Sequence, residues 1–169
     1  MLKGRRLAFD FGTVRIGVAV SDLEAIIASP VGTLNTQSPE LWISIAGIIE
    51  EYSPITIYIG NPLHLSGESS ASSTNSEIFA REVEERFNIP TTLIDERLST
   101  VMAGAQLKAS GKNSKQARKE IDQIAAVGIL EQGLAIERQA EGRILFENKS
   151  FRVTHSRFYI HHRYNISYS

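Results

Sequence analysis

"RRLAFDFGTVRIGVAVSD", residues 5–22, carries two β-like runs, residues 6–11 and 14–21, separated by Gly12 and Thr13. Alternating and β-branched apolar residues on both sides of a glycine-containing turn predict an antiparallel hairpin. One residue does not belong to that pattern. Asp10 stands between Phe9 and Phe11, where a strand should be buried. A carboxylate among aromatics is costly to desolvate unless something pairs with it, and the remaining sequence has to supply the partner.

The chain has 169 residues, the size of one domain able to support its own core. Apolar residues make up 42% and charged residues 22%, which places it in the soluble globular class. It has no cysteine, and that excludes a disulfide framework, thiolate metal sites and cysteine nucleophiles. The apolar run near the start is short and broken by Asp10, unlike a signal peptide, and no stretch approaches the roughly 20 apolar residues of a membrane span. A cytoplasmic protein without membrane contact is the expectation. The net charge of −1 gives no argument for nucleic acid, so any such case rests on local clustering. One cluster exists, "KASGKNSKQARKE", with Lys108, Lys112, Lys115, Arg118 and Lys119. Read alone, it is a solvated helix start.

Beyond the hairpin, a third strand is predicted within "AIIASPVGTLNT", with Pro30 marking an edge or a bulge. "SPELWISIAGIIEEY" reads as a helix with Ser38 as N-cap and Pro39 at its first position. "ITIYIG" at 55–60 is a short apolar strand covered on both faces. A polar loop, "HLSGESSASSTNSE", leads into a helix over about residues 75–87. "IPTTLIDE" at 89–96 reads as another buried strand. "STVMAGAQLKA" forms a further helix, and a long one follows over about 115–137. The two later strands are each reached through a helix, and right-handed crossovers place them parallel to the first. The predicted fold is α/β: a mixed sheet, three strands in an antiparallel meander plus two parallel strands, flanked by helices. This domain is expected to span residues 1–138. Residues 139–169 are basic and aromatic, with His155, His161 and His162, and are expected to be either an added hairpin or without order.

Acidic residues stand at three telling places. Asp10 ends the first strand, Asp95 and Glu96 end the last parallel strand, and Asp122 lies inside the apolar helical run "IDQIAAVGIL". In open α/β sheets, ligands collect outside the carboxyl ends of the strands. Converging carboxylates must share a proton or bind a cation, and a hard ion such as Mg²⁺ or Mn²⁺ suits them. Each acid taken singly is better explained as a cap or a surface ion pair; the combination is what points to a metal site. Asp95 and Glu96 point to opposite faces of a strand, so one of them and not both reaches the metal; Glu96 is taken as the ligand and Asp95 as a structural partner, with the reverse assignment left open. Arg97 is placed either to contact a phosphate or to neutralise Asp95. Gly12 and Thr13 allow close backbone approach to a phosphate. Arg15, Asn61, Lys112, Lys115 and Arg118 complete the candidate nucleic-acid contacts.

Taken in order, "FDFGTVRIGVAVSD", "IGNPLHLSG", "DERLST" and "IDQIAAVGIL" resemble the YqgF family, also called RuvX, of Holliday junction resolvase-like proteins. The resemblance spans nearly all of residues 5–137 and leaves the tail outside it. It implies an RNase H-like fold and a metal-dependent nuclease acting on structured nucleic acid. Members are linked to maturation of the 5′ end of 16S ribosomal RNA, and by analogy to Holliday junction cleavage. It further implies divalent metal held by Asp10, by Glu96 or Asp95, and by Asp122. The expected partners are structured RNA or DNA, pre-rRNA first, and ribosomal particles; the chain is expected to be a monomer or homodimer. Two other readings compete. "DFGT" is similar to the first phosphate loop of sugar and acetate kinases, but this chain is too short for their duplicated domain. A nucleic-acid-binding or ribosome-associated factor without turnover is the other.

Overall fold

The computed structural model describes residues 1–62, 71–95 and 114–161, with side chains over 1–62, 74–95 and 118–142. Five strands and three helices are described: β1 (Arg6–Phe11), β2 (Arg15–Ser21), β3 (Ala28–Asn35), α1 (Leu41–Tyr52), β4 (Thr56–Asn61), α2 (Ala71–Phe87), β5 (Thr91–Asp95) and α3 (Ser114–His161). The strands form one sheet in the order β3-β2-β1-β4-β5. β1 and β2, and β2 and β3, pair antiparallel; β1 and β4, and β4 and β5, pair parallel. This is the predicted meander followed by two crossover strands.

The two faces of the sheet are built differently, and the difference follows from strand alternation. On one face Leu7, Phe9, Ile16, Val18, Ile57 and Ile59 are fully buried and form a core with Leu41 and Ile45 of α1 and Phe79 and Val83 of α2. Phe79 organises this layer. Its ring stands edge-on to Phe9 at 5.7 Å and stacks on Phe11 at 4.5 Å. Trp42 covers Phe79 from α1 at 5.9 Å. Such ring pairs each add about 0.5–1.5 kcal/mol beyond the area they bury.

The opposite face is lined by small residues at its centre, Ala8, Gly17 and Ala19, and receives α3. The packed stripe of α3 is Asp122, Ala126, Ile129, Gly133, with Ala125, Leu130 and Leu134 beside it. Spacings of four, three and four keep one helical face against the sheet. Small residues on both surfaces let the backbones approach closely. At Gly133 a β-carbon would stand 2.5 Å from the Tyr58 ring of β4.

Several elements depart from the sequence-based expectations. α1 starts at Leu41, not Pro39, because Ser38 instead closes a preceding turn: its hydroxyl accepts from Glu40 N at 3.2 Å and its carbonyl from Leu41 N at 3.1 Å. Among the described residues β5 lies at the edge of the sheet, with Thr92 and Leu93 exposed and Ile94 fully covered, where a buried strand was expected. Pro30 sits on β3, the other edge, where the register with β2 shifts between Val18 and Ala19. α3 does not end near residue 137. Its backbone stays helical to His161, where a hairpin or loss of order was expected. No proline follows Pro90 to break the helix. The helix predicted over "STVMAGAQLKA" lies outside the described residues.

The chain divides into two compact units, Leu2–Leu134 and a second comprising Met1 and the stretch from Ala135 onward. Within the second, the terminal amino group of Met1 donates to the Glu141 carboxylate. No described helix is long and apolar enough to cross a membrane.

Candidate active site

Asp10 is explained by the two-faced sheet. Its neighbours Phe9 and Phe11 turn toward α1 and α2, so Asp10 turns to the α3 face, where it is half-buried. Its cross-strand partner in β2 is Gly17, and directly opposed residues of an antiparallel pair project to the same side.

Gly17 also marks where α3 lands. A β-carbon at Gly17 would stand 2.0 Å from the Asp122 carbonyl oxygen and 2.5 Å from its carbon. The main chain of Asp122 therefore lies on Gly17, beside the strand position of Asp10. Contacts on either side agree: Thr33 of β3, paired with Gly17, donates from its hydroxyl to the Lys119 carbonyl at 3.4 Å. Asp10 and Asp122 thus occupy neighbouring positions on one face, near the carboxyl end of β1. An isolated glycine within a β-branched run signals such close approach, and this cue in "RIGVAVS" was there to be read.

Arg15 joins them. Its Nε donates to Asp122 Oδ2 at 2.5 Å, and both side chains are partly covered. Arg15 is set in place by the β1–β2 turn, where Gly12 N donates to the Arg15 carbonyl at 2.9 Å. A β-carbon at Gly12 would come within 2.7 Å of that same oxygen, so this glycine is required by the turn itself. Thr36 donates from its hydroxyl to the Gly12 carbonyl at 2.7 Å, and Thr13 is exposed at the tip.

On the other side of β1, Asn61 ends β4, is buried, and pairs in register with Asp95 of β5. Counting along β4 from Ile57 and Ile59, both Asn61 and Asp95 fall on the α1–α2 face, opposite Asp10. The Asp95 carbonyl accepts from Gln132 Nε2 of α3 at 3.0 Å. Gln132 was not flagged by its sequence context; its Oε1 is buried and has no hydrogen-bond partner among the described residues. Arg118 is exposed on α3, one turn before Asp122. Lys115 lies in α3 where only the backbone is described, and Glu96, Arg97 and Lys112 lie outside the described residues.

The donor chemistry of this face fits a hard divalent cation: two carboxylates stand at neighbouring positions, and one already holds a guanidinium. Among the described residues, no three acidic or histidine side chains group closely enough to hold an ion. A third donor would have to come from elsewhere in the chain.

Comparison with known proteins bears on fold and family. A family model described as "RuvX: Holliday junction resolvase" matches residues 4–136. A protein of Corynebacterium jeikeium named "Putative pre-16S rRNA nuclease" is 44% identical over 140 residues, covering 82% of this chain and 90% of the relative. One of the same name from Methylobacillus flagellatus is 40% identical over 130 residues, covering 76% and 89%. Among solved structures, T. thermophilus RuvC in complex with Holliday junction substrate superposes with a TM-score of 0.51 at 12% identity, covering 80% of this chain and 96% of that one. That likeness shows a shared RNase H-like fold. With the match running from Gly4 through the whole described sheet and the packed part of α3, the chain belongs to the RuvX family.

Proposed function

We propose that this protein is a divalent-metal-dependent nuclease that hydrolyses phosphodiester bonds in structured nucleic acid, with precursor 16S rRNA as the substrate. The observation that carries this reading is the meeting of Asp122 with Gly17, the β2 partner of Asp10. It accounts for an otherwise unfavourable carboxylate in β1 and puts two hard oxygen donors on one face. The names of the relatives, pre-16S rRNA nucleases, favour the RNA substrate.

Asp10, Asp122 and Glu96 are the residues that would hold Mg²⁺ or Mn²⁺. When bound there, the ion would supply Lewis-acid polarisation of a phosphoryl oxygen and a water of lowered pKa. Asp10 and Asp122 contribute fixed negative charge on rigid elements, a strand and a packed helix, so little reorganisation is needed at reaction. Gly12, Thr13 and Asn61 stand at the ends of β1 and β4, and Arg15, Arg97, Lys112, Lys115 and Arg118 would meet flanking phosphates. Binding should then weaken steeply with salt. The setting is cytoplasmic, on free precursor or on ribosomal particles.

The test is cleavage of a precursor 16S rRNA 5′ end with Mg²⁺, comparing the wild type with Asp10→Asn. The substitution should abolish cleavage and leave RNA binding in EDTA intact. Undiminished cleavage by Asp10→Asn overturns the assignment. A four-way DNA junction belongs in the same assay, because the family description and the RuvC likeness favour it as the second reading. RNA binding without any Mg²⁺-dependent cleavage by the wild type would select a non-catalytic factor.

A further inference from the structure

We infer that Arg15 is the resident counter-cation of the acidic face: it holds Asp122 while no divalent ion is bound, and exchanges that carboxylate for a nucleic-acid phosphate when the ion enters. The inference rests on the metal-dependent reading above and adds a coupling between metal and substrate binding.

Three observations carry it. First, the pair is half-engaged. Arg15 Nε binds Asp122 Oδ2 at 2.5 Å. This bond uses one nitrogen of the guanidinium and one oxygen of the carboxylate, and among the described residues neither side chain forms another hydrogen bond or ion pair. Second, only one partner is able to move. Asp122 is fixed because its main chain rests on Gly17. Apart from its bond to Asp122, Arg15 is held through its own backbone, at the mouth of the β1–β2 turn, and its long side chain is about one-third exposed (32%). Third, the charges require a replacement. Two neighbouring carboxylates repel when ionised, and the guanidinium held on Asp122 offsets part of that repulsion. A divalent ion on the same oxygens supplies more positive charge and repels the guanidinium at close range. The released fork is suited to bidentate phosphate recognition, and the turn that carries it also presents Thr13 to solvent.

The exchange makes Arg15 a competitor of the metal. Two measurements test it. In the wild-type protein, NMR of the Arg15 Nε–H should show protected exchange without metal and faster exchange at Mg²⁺ saturation. In Arg15→Gln, Mn²⁺ binding followed by calorimetry should tighten by about threefold or more, since the ion no longer displaces a cation. The gain in RNA affinity that Ca²⁺ confers on the wild type should shrink in the same variant. If Nε–H protection is unchanged by Mg²⁺, or Arg15→Gln binds Mn²⁺ no more tightly than the wild type, the pair is a fixed scaffold and the exchange is wrong. The NMR arm needs no variant, so a folding defect in Arg15→Gln leaves the inference open to refutation. Absence of saturable Mn²⁺ binding by the wild type would overturn the metal reading itself, and the exchange with it.

Discussion

Gly17 and Asp122 meet backbone to backbone: the space a β-carbon would need at Gly17 is filled by the Asp122 carbonyl, 2.0 Å away. Everything proposed for the site depends on this contact, because it sets α3 at the position beside Asp10. The obstacle is main chain within a packed helix, which cannot swing aside as a side-chain tip would. Gly17→Ala should therefore lift α3 locally and destabilise the fold by about 1–3 kcal/mol, the usual range for overpacking. Gly32, in the next strand and paired with Val18, has open space around its Cα. Gly32→Ala should be neutral or mildly stabilising. Denaturant midpoints of the two variants check the contrast, and Mn²⁺ titration should show weakened binding for Gly17→Ala alone.

Gly133 and Tyr58 form the second close contact under α3. In an exposed helix, replacing glycine by alanine gains about 1 kcal/mol. Here the new methyl would lie 2.5–2.7 Å from Cδ2, Cε2 and Cγ of the Tyr58 ring, so the clash wins and Gly133→Ala should destabilise. The sign should reverse when the ring is removed. In a Tyr58→Ala background, Gly133→Ala should become neutral or stabilising, and a double-mutant thermal denaturation cycle measures the coupling.

Much of this was legible in the sequence, for reasons specific to particular residues. The hairpin and the strand directions followed from β-like runs and from helices lying between the later strands. The singular position of Asp10 was visible because it is a charged residue set between Phe9 and Phe11 in an otherwise apolar run. The family resemblance led to the same acids. Other features were hidden. Ser38 and Pro39 carry the signature of a helix start, yet the same residues also suit a turn, and the turn prevails. β5 reads as buried, but its apolar run says nothing about which strand lies at the edge. The length of α3 escaped periodicity because the helix beyond Leu134 has no apolar stripe to show. Neither the Arg15 partnership nor the Gln132 bond to the Asp95 carbonyl could be read locally, since each joins residues far apart in the chain.

Asp22 gives the fold an acid-sensitive joint. Its Oδ1 accepts from the backbone N–H groups of Ile26 at 2.7 Å and Ile27 at 2.9 Å, closing the loop between β2 and β3. The bonds from Ile27 and Ile26 hold its carboxyl below the usual carboxylate range. A folded-state pKa below the unfolded one means that the contribution is present above the unfolded value and is lost as pH falls through the folded one. Asp22→Ala should lower the melting temperature at neutral pH. The gap between variant and wild type should close as pH drops through and below the ordinary carboxylate range. A gap independent of pH would mean that the loop does not depend on the charge.

Asp95, the last residue of β5, and Glu96, the next in sequence, should differ sharply in function. Asp95 is in register with Asn61, and its position shares the parity of Ile57 and Ile59, whose side chains enter the α1–α2 core. Asp10 has the other parity, facing α3. A strand residue reaches a ligand across the sheet only by breaking alternation, so Asp95 is poorly placed to share an ion with Asp10 and Asp122, and the proposal assigns that part to Glu96. Asp95→Asn should then keep cleavage within about tenfold of wild type, while Glu96→Gln should lose on the order of 10²-fold or more, as expected when a charge aimed at the transition state is removed. Mn²⁺ affinity should follow the same order, falling in Glu96→Gln and holding in Asp95→Asn. Equal losses from both substitutions would mean that the end of β5 turns its aspartate back across the sheet, and the parity assignment would have to be given up.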